Sequence, residues 1–165
     1  MRTPIPRLYL GTMTWAWNGQ TSNIVDEAIA REMAQKFIVH NEAAGGESVH
    51  RLDTARVYAA GQTEPMVGTV LESLRPWLLL ANSNSPDEQR SRTIVVGTKA
   101  NPAVDGGLSP NGIRKQVKES LEAMKLESLG EYYLHQPDPQ HSLLESLQTC
   151  HELIQDGTIS LSAAT

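Results

Sequence analysis

Runs of β-type sequence alternate with longer stretches of helical periodicity along nearly the whole chain, and that alternation limits the fold more than any other feature. Arg7-Leu8-Tyr9-Leu10 comes first and is ended by Gly11. Val49-His50-Arg51-Leu52 leads into Asp53, and Thr93-Ile94-Val95-Val96 is followed by Gly97-Thr98-Lys99. Tyr132-Tyr133-Leu134 runs into His135, and Thr158-Ile159-Ser160-Leu161 forms a weaker fifth run. Short apolar runs rich in Val, Ile and Tyr, bounded by Gly or Pro, suit buried parallel strands.

Helical stripes fill the gaps. Val25, Ile29, Met33 and Phe37 mark the first helix, and Met66, Val70, Leu71 and Leu74 the second. Ile113, Val117, Leu121 and Met124 mark the third, which Ser109-Pro110 opens as an N-cap followed by a first-turn proline. Leu143, Leu147, Cys150 and Ile154 mark the fourth. Ser142 and Glu145 have capping-box spacing there, and Asp156-Gly157 closes it.

The resulting order, β-α-β-α-β-α-β-α-β, predicts a parallel sheet with right-handed crossovers. A doubly wound open sheet and a (β/α)8 barrel both share it. A full barrel takes about 250 residues, whereas this chain has 165. The barrel reading is therefore a partial one, in a single domain over residues 1–165: about the first four βα units plus a start of the fifth strand. The polar, turn-rich stretch 82–92 reads as a long surface loop before the third strand.

Composition narrows the function. Fourteen basic against nineteen acidic residues give a net charge of −5, a poor basis for electrostatic nucleic-acid binding. The single cysteine, Cys150, cannot form an internal disulfide. His135, His141 and His151 match no helical or hairpin ligand spacing, so no metal is expected. Gly45-Gly46 and Gly106-Gly107 read as turns, because neither sits in a phosphate-binding glycine motif. The longest apolar run, Trp77 to Ala81, falls far short of a membrane span, and the N-terminus has no signal-peptide core. A cytoplasmic protein without membrane insertion is expected.

Titratable residues gather after the strands: Asp53 and Tyr58 after the second, Lys99 after the third, His135 after the fourth. In parallel α/β folds those ends face the ligand. Singly, each has a plain explanation: a solvated lysine, an amphipathic rim tyrosine, a turn-capping Asp53-Thr54, a hydrogen-bonded histidine. Jointly they are the parts that turn a phenol into a proton donor. A free phenol titrates near pH 10, and a neighbouring ammonium favours its anion. A carboxylate would hold the lysine in place, and an imidazole would orient a substrate oxygen.

Several motifs resemble one family. Asp53-Thr54-Ala55-Arg56-Val57-Tyr58, followed by Gly61 and Glu64, is similar to the signature of the aldo-keto reductases. Leu10-Gly11-Thr12-Met13-Thr14 resembles their first barrel strand, and Gly97-Thr98-Lys99 their lysine strand. Ser120-Leu121 and Tyr133-Leu134-His135-Gln136-Pro137-Asp138 resemble their third helix and fourth strand, in the form seen in the branch of aflatoxin-aldehyde reductases and potassium-channel β subunits. The resemblance implies an NADPH-dependent reductase of aldehydes or ketones on a (β/α)8 barrel. It implies Tyr58 as proton donor, Lys99 and Asp53 as its supporting pair, and His135 as the group positioning the carbonyl. It also implies Thr12, Met13 and Asp53 near the nicotinamide, and Trp15 with His135 beside the substrate.

The family's fifth strand leads into a Ser-Asn pair, whereas here the sequence reads Asp156 to Thr165 without one. The later strands and the phosphate-binding loops have no counterpart. The expectation is thus the catalytic half of a barrel. Two readings follow: a reductase working within a fuller polypeptide or by pairing half-barrels, or a truncated, non-catalytic half-barrel that binds a partner, regulates or is an inactive fragment. Open strand edges would favour self-association in either case.

Overall fold

The computed structural model describes residues 7–44, 49–81 and 92–160. Four strands and four helices alternate: β1 (Tyr9–Gly11), α1 (Glu27–Ala43), β2 (Val49–Asp53), α2 (Thr63–Ala81), β3 (Thr93–Ala100), α3 (Pro110–Met124), β4 (Glu131–Leu134) and α4 (Leu143–Gln155). The strands form one sheet in the order β1-β2-β3-β4, each neighbouring pair parallel. Leu129 and Ile159 make an isolated parallel bridge, with the Leu129 N–H donating to Thr158 and the Ser160 N–H to Leu129. That bridge lies where the weaker fifth run is expected, just before the start of β4. The result is a partial barrel of four βα units. The predicted surface loop lies, up to residue 91, outside the described residues, as do Gly45-Gly46 and Leu161. No described helix is long and apolar enough to cross a membrane.

Strand parity divides the sheet into two faces. Leu52, Val96 and Ala100 are buried in one apolar core with Ala30, Ala34, Val67, Ile113 and Val117 from the helices. The opposite parity carries Tyr9, Arg51, Asp53, Lys99, Glu131 and Tyr133, which form a polar layer. The Tyr9 hydroxyl donates to Glu131 at 2.9 Å and the Tyr133 hydroxyl at 2.6 Å, with the Arg51 guanidinium 3.7 Å from the same carboxylate. Both phenols are thereby held above their ordinary pKa. Burial is the larger cause for Tyr9, the Glu131 hydrogen bond for Tyr133.

Two helices bury a different face from the one their bulky residues predict. In α1 the sheet-facing residues are Ala30, Ala34 and Ile38, while Ile29 is 41% exposed and Val25 precedes the helix. Small side chains make up much of the buried face, which a count of large apolar residues cannot register. In α4 the buried residues are Ser146, Thr149 and Leu153, and Leu143 and Leu147 face outward. The buried hydroxyls are satisfied by backbone carbonyls: Ser146 donates to Leu108 and Ser142, and Thr149 to Glu145. The α2 and α3 stripes lie as predicted, with Val70, Leu74, Ile113, Val117 and Met124 all buried. Ser109 caps α3 by accepting the Gly112 N–H at 3.1 Å, and Ser142 accepts the Glu145 N–H at the start of α4.

Candidate active site

The register brings the site together. Gly11 pairs with Asp53, and Asp53 with Gly97, so Asp53 ends β2 while β3 continues through Lys99 and Ala100. Lys99 is thus a strand residue, not one in the loop beyond. Two residues past the Gly97 level on the same face, its side chain reaches back to Asp53. The ammonium donates to both Asp53 carboxylate oxygens at 2.8 Å and to the Thr54 carbonyl at 2.7 Å. Lys99 is 17% and Asp53 31% exposed, so the pair is mostly shielded by protein.

The segment after β2 lies across the end of β3. The Thr54 N–H donates to Gly97 and the Arg56 N–H to Lys99. This path carries Tyr58 over Lys99, and the Lys99 ammonium lies 3.3 Å from the phenol oxygen. His135 extends β4, its N–H donating to Ala100, and its ring stands edge-on to the Tyr58 ring at 5.9 Å between centroids. Burial, then the nearby Lys99 charge, lower the His135 pKa against an opposing pull from Asp53, which favours neutral imidazole. The buried Nδ1 of His135 has no hydrogen-bond partner among the described residues.

The remaining predicted residues divide. Thr12 is fully buried, its hydroxyl donating to the Asp53 carbonyl at 3.0 Å, and Met13 beside it is 44% exposed. Trp15 is placed away from any open surface: it is 0% exposed within the apolar core. Its carbonyl accepts the buried Thr63 hydroxyl at 2.9 Å, which draws the loop after β1 down against α2. Against the expected substrate wall at Trp15, its side chain has no exposed surface in this structure. Sequence reasoning also passed over Glu131 and Tyr133, which lie over Gly97 next to Asp53. Their shared parity with His135 was the available signal.

Chemically, the arrangement offers a phenol with an ammonium against its oxygen and an orphaned imidazole nitrogen beside its ring. An electrophile with a basic oxygen, such as a carbonyl, matches that donor set. Met13, which follows Thr12 at the end of β1, leaves an exposed apolar side chain on this side of the sheet.

Comparison with known proteins gives a consistent picture. The aldo/keto reductase family profile matches residues 7–164. Human aflatoxin B1 aldehyde reductase member 4 is 31% identical over 106 residues, 64% of this chain and 28% of its own length. Mouse aflatoxin B1 aldehyde reductase member 2 is 34% identical over 106 residues, 64% of this chain and 25% of its length. Aldo-keto reductase YhdN of Bacillus subtilis is 25% identical over 95% of this chain, which spans 43% of that protein. Among solved structures, a Klebsiella pneumoniae aldo-keto reductase in complex with NADPH superposes with a TM-score of 0.61 at 21% identity. It covers 94% of this chain and 43% of its own. The holo form of a Bacillus halodurans aldo-keto reductase gives a TM-score of 0.59 at 23% identity, over 93% of this chain and 43% of its own. The chain therefore spans less than half the length of the relatives it matches.

Proposed function

The chain belongs to the aldo/keto reductase family, and we propose from that premise that it carries the proton-donating machinery for reduction of an aldehyde or ketone to an alcohol. The observation that supports this most is the 3.3 Å approach of the Lys99 ammonium to the Tyr58 phenol oxygen, with Asp53 bonded to the same ammonium. Tyr58 donates its proton to the carbonyl oxygen as that oxygen gains electron density, so no free alkoxide forms. Lys99 stabilises the charge left on the phenol oxygen, and solvent restores the proton. Asp53 holds the ammonium in place on its other side. Neutral His135 orients the carbonyl oxygen through a ring N–H. Thr12, Met13 and Asp53 would lie against the nicotinamide of NADPH. When bound, that cofactor supplies the hydride that the carbonyl carbon receives.

The test uses the full chain. NADPH fluorescence titration measures cofactor binding, and 4-nitrobenzaldehyde is the probe carbonyl. Tyr58→Phe is expected to cut turnover by about 10²–10⁴-fold while leaving NADPH binding intact. Equal turnover in Tyr58→Phe and the parent chain would overturn the proposal.

A second reading, a non-catalytic half-barrel that binds a partner, draws on one observation. Leu143, Leu144 and Leu147 on α4 are 63%, 65% and 53% exposed, an apolar surface in want of a cover. Analytical ultracentrifugation of the full chain tests it. Association lost on Leu144→Glu supports this reading, and a monomer at all concentrations argues against it.

A further inference from the structure

We propose that Glu64 is a positioning residue whose buried carboxylate clamps the Tyr58 turn to the Lys99 strand. The inference rests on the proton-donor role given above to Tyr58, and extends it to a group that touches neither substrate nor cofactor. Glu64 lies on the first turn of α2 and is 0% exposed. One carboxylate oxygen accepts the Thr98 hydroxyl at 2.7 Å, and the other accepts the Arg56 guanidinium at 2.9 Å. Thr98 immediately precedes Lys99, and Arg56 stands two residues before Tyr58. A single carboxylate thus ties together the two backbone segments whose side chains must meet. Arg56 also donates to Glu119 on α3 at 2.9 Å, so the clamp is anchored in a third element.

The turn it closes is strained. Ala59 and Ala60 follow Tyr58 with φ of 48° and 51°, and Gly61 continues with φ of 88°. Left-handed backbone is unfavourable for an L-residue, and such a run persists only where its surroundings over-determine it. The Arg56–Glu64 pair brackets this run at both ends, and Thr63 fixes its far side to the Trp15 carbonyl. Released, the turn would relax and carry the phenol with it. Packing alone does not call for a charge here, since apolar residues of similar volume fill buried sites at equal or better stability. What the carboxylate adds is direction: two fixed hydrogen bonds, one to each catalytic segment.

The test compares Thr98→Val, which keeps the shape and removes the hydroxyl, with Thr98→Ser, which restores it. The edge contact between Tyr58 and His135 makes the His135 ring protons a reporter, because the phenol's ring current shifts them. In proton NMR of the full chain, His135 is assigned by its loss in His135→Asn, and Tyr58→Leu gives its position without the ring. Thr98→Val is expected to move the His135 lines toward the Tyr58→Leu position while those of His50 and His141 stay in place. Thr98→Ser should return them. In turnover of 4-nitrobenzaldehyde, Thr98→Val should lower kcat at least about tenfold with KM unchanged, and Thr98→Ser should recover it. Unmoved His135 lines, or all histidine lines moving together, would overturn the clamp. If the parent chain reduces no aldehyde while His135 responds as described, the proposed activity fails and the clamp stands. Should Thr98→Val not fold, Arg56→Lys at a partly exposed position supports the same comparison, with the same outcomes deciding.

Discussion

Lys99 and Asp53 face each other across adjacent strands with the ammonium 2.8 Å from both carboxylate oxygens, although they stand at different levels of the β2–β3 ladder. The ladder matches Asp53 to Gly97, so the lysine reaches back one pleat. A side chain at Gly97 would press on Glu131 and Tyr133 beside the pair. The pair is mostly shielded by protein, Lys99 more than Asp53. Removing one partner therefore leaves a charge with an unmet hydrogen-bonding need, which costs more than the pair contributes. Lys99→Met is expected to lose about 1–3 kcal/mol in urea denaturation. Asp53→Asn combined with Lys99→Met should recover part of that loss. In turnover the two changes should be strongly non-additive, because both act through Tyr58. Simple addition in both assays would show that the pair does not act as a unit.

Gly68 sets how closely α2 and α3 approach. A methyl group there would lie 2.9 Å from the Ala123 carbonyl oxygen and from two backbone atoms of Met124. Backbone cannot swing aside as a side chain can. Gly68→Ala should cost about 2–3 kcal/mol in overpacking against rigid backbone, which less the roughly 1 kcal/mol that alanine gains in a helix leaves a net destabilisation of about 1–2 kcal/mol. An unchanged or raised denaturation midpoint would contradict this contact.

Tyr132 buries its hydroxyl on the helix side of β4 without a hydrogen-bond partner among the described residues, and burial drives its pKa far upward. Phenylalanine keeps the ring and removes the unsatisfied group. Tyr132→Phe is therefore expected to stabilise the fold by about 1 kcal/mol. A fall in Tm would mean that the hydroxyl is bonded after all.

Asp138 is expected to contribute to the acid limb of stability. Its carboxylate accepts the backbone N–H groups of Leu108 and Gln140 at 2.9 Å and a His141 ring nitrogen at 2.8 Å. These bonds, the Leu108 one foremost, lower its pKa to about 2. Between the ordinary value of 3.8 and about 2 the unfolded chain binds more protons than the folded one, so stability rises with pH across that window. The Asp138 contribution is complete above the upper value and is lost as pH falls through the lower. Asp138→Asn should flatten the dependence of urea midpoint on pH between about 4 and 2. A variant whose acid limb keeps the parent slope would assign that limb to other carboxylates.

Much of this was legible from residue order. Ser109-Pro110 and Ser142 announced two helix starts because capping is local: a side chain bonds a backbone N–H three residues on. The alternation of β and α runs led to a parallel sheet because a crossover helix leaves few other ways to bury both faces. Asp53, Tyr58, Lys99 and His135 could be grouped because strand ends on one side of such a sheet must be neighbours. What the order could not give was the inner geometry. Ala30 and Ala34 outrank Ile29 at the sheet, and Ser146 outranks Leu147, because burial depends on which face meets a neighbour. Trp15 is similar: its burial depends on partners distant in sequence, among them the Thr63 hydroxyl, 48 residues away, that its carbonyl accepts. The Glu64 carboxylate joining Arg56 to Thr98 belongs to the same class. Sequence alone settled which elements form and at which end of the sheet the titratable groups collect, since both follow from short-range bonding and strand polarity. Only the tertiary structure decided which of those groups touch, because distance across a sheet and between helices is fixed by register and packing rather than by any local pattern.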